Sequence, residues 1–192
     1  MVLAWFFANW VEITGSVLGL ISVWYQYQQK PWLWPVSIVV AILYTYVFIQ
    51  SGLYAYTLLQ LYYLVVSVYG WYLWVKRKNE GDTLAVTFTR LREMLILGMI
   101  SVLIFVILYY VLLNFTDSTV PLIDAGITSL SFIATWMLAR KKLENWLVWF
   151  VVDVASVGLY IHKELYATAV FYSVLVVVAI AGYFQWKKSV RI

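Results

Sequence analysis

The sequence predicts an all-α integral membrane protein, with seven helices crossing the bilayer as a single transmembrane domain, residues 1–192. Composition is the first reason. Of 192 residues, 65% are hydrophobic, 19% aromatic and only 11% charged, with a mean hydropathy of +0.87. A soluble domain has about 45–50% apolar and about 25% charged residues. Run length is the second reason. A span needs about 20 mostly apolar residues, and such runs occur at 9–27, 32–50, 54–75, 93–113, 119–139, 143–161 and 165–186. The placement of basic residues is the third. With the 76–92 loop in the cytoplasm, twelve of the 13 Lys and Arg fall inside and only Lys163 falls outside, in keeping with the cytoplasmic excess of Lys and Arg. The N-terminus is then outside and the C-terminus inside.

Each element follows from its own stretch. The first span carries Gly15 and Gly19 four residues apart, a spacing that lets helices approach closely. Spans two and three, and spans six and seven, turn around within a few residues and read as antiparallel hairpins. Only "KRKNEGDTLAVTFTRLRE", from Lys76, reads as a soluble-looking loop. Trp5, Trp10, Trp32, Trp34, Trp71, Trp74 and Trp186 lie near span ends and fit interfacial belts. The opening "MVLAWFFANW" has no basic n-region and no small-residue cleavage site, so no cleaved signal peptide is expected.

The chain also overlays itself at an offset of 112 residues without a gap. Trp24 falls on Trp136, Lys30 on Lys142, Trp34 on Trp146, Leu53-Tyr54-Ala55 on Leu165-Tyr166-Ala167, Gly70 on Gly182 and Trp74 on Trp186. Aligned Trp and Gly at one offset do not follow from apolar composition. The repeats are about 9–75 and 119–186, joined by a linker helix at about 93–113. One intervening span makes both triplets enter the membrane in the same direction. Parallel repeats of this kind are a transporter layout, with substrate bound near the midplane. Duplication can also merely build a bundle.

Polar residues recur at helical steps inside the apolar runs. In span six, Trp146, Trp149, Asp153, Ser156 and Tyr160 form one seam. The equivalent seam in span two is Trp34, Ser37, Ala41, Tyr44 and Phe48, so the acid belongs to one repeat only. Span three presents Tyr56, Gln60, Tyr63, Ser67 and Gly70, span five Asp124, Thr128, Ser131 and Thr135, and span one Glu12, Ser16 and Gly19. An ionised Asp at mid-bilayer costs roughly 2.5–3.5 kcal/mol on insertion scales, so it should face a cavity or a partner. A cationic ring against tryptophan and tyrosine faces is one such partner. The alternative is a protonated Asp153 bonded to Ser or Thr between helices. Glu12, Asp124 and Glu144 lie near span ends and read as solvated or helix-capping. Candidate substrate-binding residues are Trp34, Gln60, Tyr63, Thr135, Trp146, Trp149 and Asp153.

The same residues exclude other functions. There is no cysteine, and His162 alone cannot build an imidazole metal centre. No nucleophile–base pair, phosphate loop or G-x-G-x-x-G occurs, so neither an enzyme nor a bound cofactor is expected. The net charge of +4 comes from basic residues at the ends of apolar runs, which suits membrane anchoring rather than nucleic acid. From a different class, the chain could be a non-transporting receptor or scaffold subunit that docks a partner through the 76–92 loop.

The stretches "LYAYTLLQLYYLVVSVYGWYLW" and "RKKLENWLVWFVVDVASVGLYIHKELYATAVFY" resemble the PnuC family of bacterial vitamin transporters, over nearly the whole chain. The resemblance implies a three-plus-one-plus-three, SWEET-like layout in the bacterial inner membrane. It implies nicotinamide riboside uptake by facilitated diffusion in a homotrimer, with trapping by a cytosolic kinase that feeds NAD biosynthesis. It adds Asn145, with Trp146 and Trp149, as the N-W-x-x-W element, and assigns a binding role to Gln60. Some nicotinamide riboside transporters of the family carry asparagine where Asp153 stands, and other members take thiamine or other nucleoside-like vitamins. Nicotinamide riboside and thiamine both carry a ring cation, so the acid suits either.

Overall fold

The computed structural model describes residues 2–50, 54–79 and 84–190; the side chains of 2–13, 16, 54–56, 76–79 and 167 are not described. Seven helices follow in order: α1 Val2–Tyr27, α2 Leu33–Gln50, α3 Tyr54–Asn79, α4 Leu91–Phe115, α5 Pro121–Ala139, α6 Asn145–His162 and α7 Tyr166–Lys187. Six of them, α2 to α7, are long and apolar enough to cross a membrane. The seventh expected span falls on α1, where part of the sequence lies outside the described side chains. Glu12, Ser16 and Tyr56 lie there too. Helix α3 runs on to Asn79, so the soluble-looking loop is shorter than its polarity suggests. Lys and Arg are good helix formers, and their charge suits a helix C-terminus.

The chain divides into two compact units, Met1–Leu84 and Ala85–Ile192. In the first, α1 packs on α2 and α2 on α3. In the second, α4 packs on α5, α5 on α6 and α6 on α7. The expected linker helix α4 is thus part of the second unit.

The turns after α1 and α5, which lie 112 residues apart in sequence, make the same bonds. Gln29 takes φ 56°, its N–H donates to Gln26 O at 3.0 Å, and Lys30 N–H donates to Tyr25 O at 2.9 Å. At the same offset Lys141 takes φ 51°, its N–H donates to Leu138 O at 2.9 Å, and Lys142 N–H donates to Met137 O at 2.9 Å. Both are Schellman ends, which satisfy carbonyls that the helix leaves unpaired. Glu164, with φ 58°, ends α6 in the same way.

The helix contacts repeat as well. The Trp34 indole presses on Gly70 and meets Trp74 edge-on at 5.5 Å; the Trp146 indole presses on Gly182 and meets Trp186 edge-on at 5.6 Å. A Cβ would lie 2.6 Å from Trp34 Cε2 at Gly70, and 2.6 Å from Trp146 Cε2 at Gly182. No side chain fits there. Trp32 and Trp71 are exposed, as an interfacial belt requires, but Trp34, Trp74 and Trp186 are buried in the core. The belt reading is corrected for these three because each indole fills the gap that a glycine or another indole leaves.

Gly70→Ala and Gly182→Ala should each lower stability by about 1–3 kcal/mol through overpacking. Gly126→Ala and Gly158→Ala, where an added Cβ meets nothing within 4 Å, should not. Thermal unfolding in detergent distinguishes the two pairs.

Candidate functional site

In the second unit, α6 divides its faces sharply. Asn145, Trp146, Val152, Asp153, Ser156 and Leu159 are buried, while Leu147, Phe150, Val151, Val154 and Ile161 are exposed. The buried face packs against α5 and α7, and α5 offers its own buried polar row of Ser129, Ser131 and Thr135. These hydroxyls are already committed. Ser131 donates to Ile127 O at 2.8 Å, Thr135 to Ser131 O at 2.8 Å and Ser156 to Val152 O at 2.8 Å. Each bond runs back to the preceding turn of the same helix.

Asp153 accepts from none of these three. Its side chain is only 4% exposed, and it has no hydrogen bond or ion pair among the described residues. The alternative of a carboxyl bonded to Ser or Thr between helices is not realised there. The indole Nε1 atoms of Trp146 and Trp149 are also buried without a hydrogen-bond partner among the described residues. A buried indole N–H usually finds one. One face of α6 thus presents an acid and two N–H donors that no described residue satisfies.

The other candidates divide between the two units. Asn145 is fully buried and donates from Nδ2 to Lys142 O at 2.6 Å, which ties α6 to the turn before it. Thr135 lies on the buried face of α5. In the first unit Trp34 is fixed on Gly70, with its Nε1 likewise unpaired among the described residues. Gln60 and Tyr63 are half-buried on α3, and the Tyr63 ring lies 5.8 Å from that of Tyr62. Ser67 completes that seam in the core.

Two span-end acids fit different descriptions. Asp124 lies in the first turn of α5 and accepts from Ser118 Oγ at 2.7 Å, a bond to the preceding loop rather than a cap of the helix N–H groups. Glu144 stands at the N-cap of α6, but its side chain makes no capping bond there. Its Oε2 accepts from Thr89 N at 2.9 Å and Thr89 Oγ1 at 2.6 Å, 55 residues away. Thr89 belongs to an extended strap, 84–90, that runs along the ends of α5, α6 and α7. Thr87 N–H donates to Lys141 O, Leu143 N–H donates to Thr87 O, and Val86 bridges to Val190. Lys142 Nζ then meets Glu93 at 2.7 Å. The alternation in "LAVTFT" carried a period-two signal for this strap, although nothing in it named the partner.

Comparison with known proteins fits this geometry. Residues 9–188 match the family model described as nicotinamide mononucleotide transporter. The chain belongs to that family. It is 26% identical over 208 aligned positions to the nicotinamide riboside transporter PnuC of Escherichia coli strain K12, covering 95% of this chain and 87% of that protein. It is 24% identical over 160 positions to the riboflavin/roseoflavin transporter RibM of Streptomyces davaonensis, covering 78% of this chain and 71% of that one. Among solved structures, a crystal structure of the vitamin B3 transporter PnuC superposes with a TM-score of 0.72 at 22% identity. That match covers 98% of this chain and 85% of the other. The nicotinamide mononucleotide transporter family consists of transporters, so the chain is a multi-pass membrane transporter and not an enzyme.

Two measurements test the strap. Glu144→Gln removes a charge-assisted acceptor, and hydrogen bonds to charged groups are worth about 1.5–3 kcal/mol; amide exchange at Thr87 and Thr89 should rise accordingly. Burial pushes the Lys141 amine down to about 8 from its usual 10.5. The unfolded chain then holds a proton that the folded chain has released between those values, so stability rises with pH across the window. Lys141→Met should be more stable than the parent at pH 7, and the difference should shrink as pH passes through 8 towards 10.5.

Proposed function

We propose that the protein takes up nicotinamide riboside across the bacterial plasma membrane by facilitated diffusion, with the substrate trapped by phosphorylation in the cytosol. The observation that carries this reading is the buried Asp153 carboxylate, without a partner among the described residues and one helical turn from the Trp149 indole. A pyridinium ring supplies what both lack: a positive charge for the acid and a flat cation for the indole face. Desolvated cation–π contacts reach about 2 kcal/mol. The ribose hydroxyls can accept from the Trp146 and Trp149 N–H groups. Thr135 and Asn145 flank this face of α6, and Trp34, Gln60 and Tyr63 are the candidates from the first repeat.

The membership of the family and the name of the E. coli relative support the substrate class. All seven helices span the membrane in this reading, with the N-terminus outside, the C-terminus in the cytoplasm and the protein a homotrimer. Thiamine is the second reading, because its thiazolium offers Asp153 the same charge. Riboflavin, which the Streptomyces relative's name indicates, is uncharged and gives the acid no such partner.

Isothermal titration of the purified protein with each vitamin tests this. Nicotinamide riboside should bind, riboflavin should not, and Asp153→Asn should weaken binding by about 2 kcal/mol or more, roughly 30-fold. Undiminished binding by the variant sinks the role given to Asp153. Binding of thiamine alone moves the assignment to the second vitamin.

A further inference from the structure

The second unit holds a cavity that the vitamin reading does not use. About 360 Å³ opens among α4, α5 and α6, between Leu97 of α4, Ile133 and Met137 of α5, and Leu147 and Val151 of α6. Leu147, Val148 and Val151 lie on the opposite side of α6 from Trp146, Trp149 and Asp153, so this is not the candidate substrate face. Leu147 and Val151 are about half exposed, and all three helices are apolar enough to cross a membrane. The cavity therefore opens sideways, towards hydrocarbon. Gly98 forms part of its wall, and a Cβ added there would meet nothing within 4 Å. Open space begins at the α4 backbone.

Thr89 and Glu144 line the cavity at the starts of α4 and α6, and basic residues stand next to them in the chain and at the end of α5. Arg90 and Arg92 are exposed at the start of α4. Arg140 is exposed at the end of α5 and lies over the Trp136 ring at 5.3 Å, and Trp136 packs on the Leu97–Ile133–Met137 cluster. The two carboxylates at this end are engaged: Glu144 Oε2 with Thr89, and Glu93 with Lys142 and the Arg90 N–H.

We infer that this cavity is a binding site for an anionic phospholipid, with an acyl chain between α4, α5 and α6 and the headgroup at Arg90, Arg92 and Arg140. An apolar crevice capped by cations matches the two ends of such a lipid. A helix of a second copy, about 10–12 Å across with its side chains, is too thick for a space of this volume. Acyl chains gain little by leaving lipid for an equally apolar wall, so the headgroup supplies the selectivity. The inference rests on the membrane-spanning reading and not on which vitamin is carried.

Native mass spectrometry of the purified full-length protein, titrated with phosphatidylglycerol or phosphatidylcholine of the same acyl composition, tests it without vitamin present. One phosphatidylglycerol should be retained per chain, and phosphatidylcholine should bind about tenfold more weakly. Gly98→Leu should fill the cavity and abolish the retained lipid. Arg90→Gln combined with Arg140→Gln, both exposed positions, should lower phosphatidylglycerol binding at least tenfold. Equal retention of the two lipids would reduce the site to ordinary bilayer contact and overturn the inference. So would unchanged retention in Gly98→Leu or in the arginine variant, or loss of lipid only when copies of the chain separate. Titration of the same samples with nicotinamide riboside reports separately on the vitamin site.

Discussion

An indole pressed on a glycine sets the helix spacing in each unit, and much of the rest follows from it. Lipid tails are as apolar as leucine, so helices in a membrane are held by close packing and polar contacts rather than by expulsion from water. Trp146 on Gly182 locks α6 to α7, and Trp34 on Gly70 locks α2 to α3. The second indole of each set, Trp186 or Trp74, closes over the first edge-on. Gly182 is the only residue that lets this ring approach so closely. With α6 held in this rotation, its seam of Trp149, Asp153 and Ser156 must face inwards while Leu147 and Val151 face out.

The two repeats share this lock and diverge around it. Tyr44 packs on Gly15 in the first, whereas the residues at the equivalent positions are Ser156 and Ile127. Tyr160 stacks on Tyr172 at 5.2 Å, where the first repeat has Phe48 and Gln60. The strap reaches only the second repeat. It joins the α5–α6 turn at Thr87 and Glu144, whereas the equivalent of Glu144 in the first is Trp32, which is exposed. The indole-on-glycine contact is common to both halves, and the residues around it differ.

Most of the frame was legible because its signals are local. Run length gave the helices, and the recurrence of Trp34, Gly70 and Trp74 as Trp146, Gly182 and Trp186 gave the repeat. The indoles were less legible: a tryptophan near a span end reads equally as an interfacial anchor or as a core plug. Only the facing glycine decides between them, and it lies in another helix. The strap was hidden for a similar reason. Thr89 and Glu144 are 55 residues apart, and neither spacing nor composition links them. The α4–α5–α6 cavity depends on three helices at once and has no signature in any one of them.

Asp153 was visible as an anomaly, and the repeat shows why packing does not account for it. Its counterpart, Ala41, is buried at 2% exposure, and Asp153 at 4%. The frame therefore requires a small buried residue at this position and nothing more. A methyl group fills the position in one repeat without a desolvation penalty. In the other, a carboxylate stands there although the hydroxyls of Ser131, Thr135 and Ser156 on α5 and α6 are turned to their own helices. A buried polar group left without a partner costs about 1–3 kcal/mol, and alanine avoids that cost at the same place in the same fold. Stability thus argues against the acid at this position, where alanine meets the same packing requirement.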